Sequence, residues 1–186
     1  MHDFHALTPL GGSESRVTRH KDMVLSEFTD QSLASVAARL GKEDSASKLV
    51  SEFIKAPAPS PGTFAGEATS AFWMGPDQWM VSAPHDAYPD LAAYLLALTK
   101  EPVSVTEQTD GWCRFDLSGE DIVAVCEILC AVDLRKGQVG DATRTTIDHL
   151  GCFIIRRAKD TVSMIGPRSS ATSLHHAIVT AMHSAL

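Results

Sequence analysis

Residues 106–157 read TEQTDGWCRFDLSGEDIVAVCEILCAVDLRKGQVGDATRTTIDHLGCFIIRR, and this stretch decides the fold class. Cys113, Phe115 and Leu117 alternate with Arg114 and Asp116, the period-2 pattern of a strand with one apolar and one polar face. Ser118-Gly119 ends the alternation. From Glu120 the apolar residues move to helical spacing at Ile122, Val125, Cys126 and Leu129, behind acids that suit the positive end of a helix dipole. After a loop over 133–140 punctuated by glycine, a polar-faced strand over 143–149 turns at Leu150-Gly151 into an apolar strand over 152–155. The stretch is a strand–helix–strand–strand unit.

Working outward, the C-terminal side continues with a hairpin strand over 161–165, a Gly166-Pro167 break and a helix over 170–184 whose inner face is Leu174, Ala177, Ile178 and Ala181. On the N-terminal side, a strand over 103–107 pairs through Thr109-Asp110-Gly111 with 112–117. A helix over 86–99 presents Leu91, Tyr94, Leu95 and Leu98 at i, i+3, i+4 and i+7, with Pro89 in its first turn. In FWMGPDQWMVSAP (72–84) the Gly75-Pro76-Asp77 turn joins Phe72-Trp73 to Trp79–Val81 as a tight hairpin. The proline-rich APAPSPGTFAG (56–66) is a loop. Before it, Leu49, Val50, Phe53 and Ile54 share a helix face that Asp44 or Ser45 caps. Residues 23–39 suit a helix in part and a small-residue strand over 33–38 equally well. Residues 1–22 lack periodicity and read as an extended arm, disordered or ordered against something else. Residues 23–186 form a single α+β domain, with two small lobes meeting near 100–110 as the variant of that reading. Strands followed by a helix recur three times, which points to antiparallel sheets with helices packed on one face.

Bulk properties bound the function. With 186 residues, 44% of them hydrophobic, the chain can bury a proper core. Sixteen Lys and Arg against 23 Asp and Glu give a net charge of −7 with no basic run, which disfavours a nucleic-acid partner. No apolar run approaches the ~20 residues of a bilayer crossing, and MHDFHALTPLGG lacks a basic-then-apolar signal, so a cytoplasmic protein without a membrane partner is expected. Cys113, Cys126, Cys130 and Cys152 fall at apolar positions without zinc-knuckle spacing and read as core thiols. His2, His5 and His20 read as surface imidazoles. Asp148 and His149 are strand neighbours that point to opposite faces, and His175-His176 lies on the last helix, so neither makes an oriented acid–base pair. Glycine-rich nucleotide loops, zinc-protease and nucleophile-elbow motifs are absent. The reading therefore assigns no catalytic, cofactor-binding or metal-binding residue.

What it assigns instead is a partner surface. The strand over 152–155 is apolar at every position, so both its sides need cover, and Phe153 and Ile155 are candidates for cover by a partner. Trp73 and Trp79 of the hairpin are the candidate anchors, since tryptophan is enriched at interface centres.

The order of GPDQW, VTEQTDGWCRFDLSG, a helix ending in CAVDL, GxxGDATRT and GPRSSATSL resembles the gamma subunit family of heterotetrameric sarcosine oxidase, closely over 70–186 and loosely before that. The resemblance implies a bacterial complex of alpha, beta, gamma and delta subunits. Such a complex oxidises sarcosine to glycine, makes hydrogen peroxide and passes the methyl carbon to tetrahydrofolate as 5,10-methylenetetrahydrofolate. It places FAD, FMN, NAD and tetrahydrofolate on the partner subunits and none on this chain, which would then be non-catalytic. The strand–SGxD–helix unit is also similar, more distantly, to the folate-binding domain of glycine-cleavage aminomethyltransferases. In those enzymes an Asn-rich segment and an acid line the folate site after the strand matching 161–165. Here the segment reads GPRSSATSLHH, with Arg168, Ser169 and Ser170 in place of the amide and acid. A free-standing folate-dependent one-carbon protein and a generic interaction domain are the alternatives.

Overall fold

The computed structural model describes residues 5–185. In chain order the elements begin with β1 (Val17–His20), β2 (Met23–Phe28), β3 (Ser32–Ala38), α1 (Glu43–Ile54), β4 (Phe64–Gly66), β5 (Ser70–Gly75) and β6 (Gln78–Ala83). They continue with α2 (Leu91–Leu98), β7 (Val103–Glu107), β8 (Trp112–Ser118), α3 (Ile122–Leu129), β9 (Ala142–Ile147), β10 (Leu150–Ala158), β11 (Thr161–Pro167) and α4 (Ala171–Ala185), which a single 3-10 turn at Arg168–Ser170 precedes. The chain divides into an inserted unit, residues 30–109, and a split unit, residues 1–29 with 110–186. Residues 17–20 of the arm read over 1–22 are thus a sheet strand, while His2 lies outside the described residues.

The inserted unit is a five-stranded sheet in the order β4-β5-β6-β3-β7, every neighbour antiparallel. Strand β3 was ambiguous because Ser32, Ala34, Ser35, Ala37 and Ala38 are small and carry little β preference. Its place between β6 and β7, where five successive residues are buried, decides the matter. Helix α1 lays Ala46, Leu49, Val50, Phe53 and Ile54 against Val36, Val81 and Trp79. Glu43 and Asp44 favour its positive end, yet the N-cap residue is Lys42 and its side chain makes no capping bond, so the cap expected from Asp44 or Ser45 lies inside the helix instead. Helix α2 is shorter than the 86–99 reading. Pro89 stays outside it, and Asp90 caps it by accepting the Ala93 N–H at 3.2 Å.

The split unit is a six-stranded antiparallel sheet in the order β1-β2-β8-β11-β10-β9. Helices α3 and α4 cover one face, Leu174 and Ile178 of α4 packing with Met23, Leu25, Phe115, Leu117, Ile154 and Met164 of the sheet. The expected hairpin of 103–107 with 112–117 does not form: β7 pairs with β3, and β8 pairs with β2 and β11. Thr109-Asp110-Gly111 carries the chain from one unit to the other rather than turning it back. Asp148 and His149 both take positive φ, 46° and 66°, and form the two-residue turn between β9 and β10. Gly119, at φ +143°, lies against β2 so closely that a Cβ would meet Met23 Cγ at 2.9 Å.

Candidate functional site

The densest polar constellation lies on the sheet face of the split unit that α3 and α4 do not cover. Because β8 alternates, Arg114 and Asp116 stand opposite the buried Cys113, Phe115 and Leu117. The Arg114 guanidinium grips Asp116 with two bonds, Nε to Oδ1 at 2.8 Å and Nη2 to Oδ2 at 2.7 Å, and their side chains are only 13% and 22% exposed. The β8–β11 register sets Ser163 beside Asp116, and the Ser163 hydroxyl donates to Oδ1 at 2.6 Å. Arg157, at the irregularity near the end of β10, donates from Nε to Ser163 Oγ at 2.9 Å. On the other flank Phe28 of β2 lies under Arg114, its ring centre 3.9 Å from Cζ. Burial, reinforced by the neighbouring Arg114, pushes the Arg157 guanidinium down to about 9, so it stays charged at neutral pH.

Chemically this arrangement ties four strands together. Both functions of the Ser163 hydroxyl are engaged, its proton toward Asp116 and a lone pair toward Arg157. The sequence signal was the Arg114/Asp116 alternation, which reads as a polar face. Only the register, which brings Ser163 and Arg157 alongside, reveals a half-buried network.

Of the four residues read as a partner surface, three are covered by the chain itself. Ile155, Phe153 and Trp79 are 0%, 3% and 6% exposed. Trp79 packs in the core of the inserted unit and donates from Nε1 to the Pro59 carbonyl at 2.8 Å, which fastens the proline-rich loop. Trp73, its cross-strand partner, is half-buried and alone of the four keeps substantial accessible surface. The structure brings Phe153 and Ile155 together on one face of β10, and the two tryptophans together on the hairpin.

Arg168, in the segment that departs from the aminomethyltransferase pattern, donates from Nη2 to the Leu7 carbonyl at 2.7 Å, with Asp110 3.9 Å from its Nε. His175 bonds Thr18 Oγ1 of β1 at 3.1 Å, and burial holds its pKa below the ordinary histidine value. Arg156 clamps the 133–140 loop by donating to the Leu134 and Gly137 carbonyls, beside a cavity of about 190 Å³. The four cysteines are free. Burial pushes Cys113 and Cys126 up to about 12 and Cys152 to about 11; Cys130, half-buried, is raised as well. Among the described residues no three His, Cys, Asp or Glu side chains converge as a metal-ligand set, and no helix is long and apolar enough to cross a membrane.

Comparison with known proteins gives this architecture its context. No family model matches the chain. Over 116 residues, 60% of the chain, it is 33% identical to sarcosine oxidase subunit gamma of Corynebacterium sp. (strain P-1). The chain resembles a sarcosine oxidase gamma subunit. The match spans 56% of that relative's length, a little over half. In three dimensions, a chain of heterotetrameric sarcosine oxidase from Corynebacterium sp. U-96, solved with pyrrole 2-carboxylate, superposes with a TM-score of 0.76 at 21% identity. That superposition covers 90% of this chain and 87% of the other. Aminomethyltransferase T of the glycine cleavage system from Bartonella henselae gives a TM-score of 0.62 at 16% identity, over 82% of this chain and 44% of that one. The fold is therefore the one these two proteins share, as the resemblance implied.

Proposed function

We propose that the chain is the non-catalytic gamma subunit of a heterotetrameric sarcosine oxidase, in the cytoplasm. The complex would convert sarcosine to glycine with formation of hydrogen peroxide and 5,10-methylenetetrahydrofolate. FAD, FMN, NAD and tetrahydrofolate would sit on the alpha and beta partners. The observation that carries this reading is the 33% identity to a gamma subunit, joined to a fold match that covers 90% of the chain. An accessory role is supported by how the polar groups are used: Arg114, Asp116, Ser163 and Arg157 bond one another, and Arg168 bonds the chain's own Leu7.

The test is co-expression of the tagged chain with the alpha, beta and delta subunits of its host. The expected result is one stoichiometric complex with sarcosine oxidase activity, while the separated chain shows neither flavin absorbance nor calorimetric binding of tetrahydrofolate at physiological concentration. Stoichiometric flavin or folate on the separated chain would overturn the accessory reading. It would favour a free-standing one-carbon enzyme, which the aminomethyltransferase-like fold would suit.

A further inference from the structure

The inserted unit carries an apolar face that its own core does not use. Helix α2, LAAYLLAL, is apolar at every position. Leu91, Ala92 and Leu95 are buried, and the other five residues are exposed. Helical geometry puts Ala93 and Ala97 at the centre of the exposed face, Leu96 on one flank, and Tyr94 and Leu98 on the other. Tyr94, Leu96 and Leu98 are 44%, 47% and 50% exposed. Edge contacts to Tyr88 at 4.9 Å and Phe53 at 5.9 Å steady the Tyr94 ring, so it would lose little freedom on docking.

A helix that is apolar all round is normally covered all round. The fold itself makes no such demand here. Helix α4, at the corresponding point of the split unit, exposes Thr172, Ser173, His176, Thr180, His183 and Ser184, every one polar.

Charge identifies the kind of occupant. Residues 30–109 hold ten Asp and Glu against five Lys and Arg, so this unit carries −5 of the chain's −7. Asp86 and Asp90 precede α2, and Asp44, Glu52 and Glu101, with Lys48 and Lys100, line a groove of about 450 Å³ at its Leu98 end. A second copy of this chain would bring like charge to like, and so would an anionic membrane. We infer that the exposed face of α2 is the docking surface for a different protein subunit, one whose contact patch is apolar at its centre and lined by Lys and Arg at its rim. This rests on the reading of the chain as one subunit of a heteromeric oxidase.

Ala97→Arg tests it. Arginine is a good helix former and suits a helix C-terminus, so the unit should fold, yet it sets bulk and positive charge in the middle of the face. Leu96→Gln, which removes apolar area without adding bulk, is the second variant, and Thr180→Arg on α4 the control. Each is co-expressed with the alpha, beta and delta subunits. Complex yield is read by size exclusion beside thermal unfolding of the free chain, and a photo-crosslinker at position 96 identifies the peptide in contact. The expected result is a loss of complex of about tenfold or more for Ala97→Arg with little change in unfolding, a smaller loss for Leu96→Gln, and none for Thr180→Arg. The crosslinked peptide should be apolar with basic flanks. Normal assembly of both α2 variants would overturn the docking surface while the subunit reading stands. A wild-type chain that joins no complex would overturn both. A free chain that self-associates until Ala97→Arg makes it monomeric would show a second copy on this face and also overturn the proposal.

Discussion

The two units repeat one connectivity and close it differently. In the inserted unit the chain runs β3-α1-β4-β5-β6-α2-β7 and the sheet order is β4-β5-β6-β3-β7. In the split unit it runs β8-α3-β9-β10-β11-α4, and the matching order is β9-β10-β11-β8-β2. The place that β7 takes after α2 is filled by β2, which comes from the other end of the chain, and β1 adds one more strand outside it. The first unit is closed by a strand of its own continuous segment, β7 against β3, the second by a segment from the far side of the insertion, as the Val24↔Ser118 register shows. The N-terminal segment is therefore a structural part of the sheet. Glu27, buried on β2, fastens what precedes it by accepting the Leu10 and Arg16 N–H groups at 2.8 and 3.0 Å.

Removing residues 1–28 should unfold the split unit and spare the inserted one. It strips Met23 and Leu25, both fully buried, and such truncations cost about 2–5 kcal/mol each against a typical total of about 5–15. Hydrogen exchange should show β8 and β11 unprotected while β3 and β6 stay protected. Loss of protection in both units would mean that neither holds without the other. Trp79→Ala, next in size, should cost about 3–5 kcal/mol and weaken the inserted unit, because it empties a core site and frees the Pro59 carbonyl. A denaturant titration that leaves the midpoint unmoved would reject this. Gly119→Ala should cost about 1–3 kcal/mol in the split unit, since its φ of +143° and the 2.9 Å approach to Met23 both resist a Cβ. A neutral Gly119→Ala in thermal unfolding would show that β2 yields easily.

The mildest prediction uses a chemical difference between the units: all four cysteines belong to the split unit. Their folded pKa values lie above the ordinary thiol value near 9, so the stability they protect is complete below about pH 9. It declines as pH rises above about 9, where the unfolded thiols ionise while the folded ones stay protonated, and the loss is complete near 11–12. Native labelling should be slow at pH 8, fastest at the half-buried Cys130, and rapid everywhere in denaturant. Rapid native labelling of Cys113, Cys126 or Cys152 would contradict their burial, and an inserted unit that weakens first in alkali would contradict the assignment of this sensitivity to the thiols.

What was legible in the sequence was local. Period-2 and helical spacing located β8, α3, β10 and α4 to within a few residues, and turn chemistry located the β5–β6 hairpin. The α+β class followed from those elements, and its aminomethyltransferase-like form from the family resemblance of the strand–SGxD–helix unit. Illegible were the choices made across long separations. Thr109-Asp110-Gly111 has the composition of a hairpin turn, and nothing nearby says that β7 has β3 as a partner already waiting. Trp79 looked like an interface anchor because tryptophan has both an apolar body and a donor, and it is the Pro59 carbonyl, twenty residues upstream, that makes the donor comfortable inside. Arg114 and Asp116 read as a polar strand face, and register alone sets Ser163 beside them.

The insertion between Thr29 and Asp110 also sets an order of events at the ribosome. The ends of the inserted unit are fastened to each other, with the Leu33 N–H donating to Thr109 Oγ1 at 2.9 Å and the Gln108 N–H to the Leu33 carbonyl at 2.8 Å. This unit is therefore complete once residue 109 has emerged. The β1–β2 hairpin is made first and must wait for β8 and β11, on the order of ten seconds at a synthesis rate of about 5–20 residues per second. During that interval Met23 and Leu25 have no core to enter.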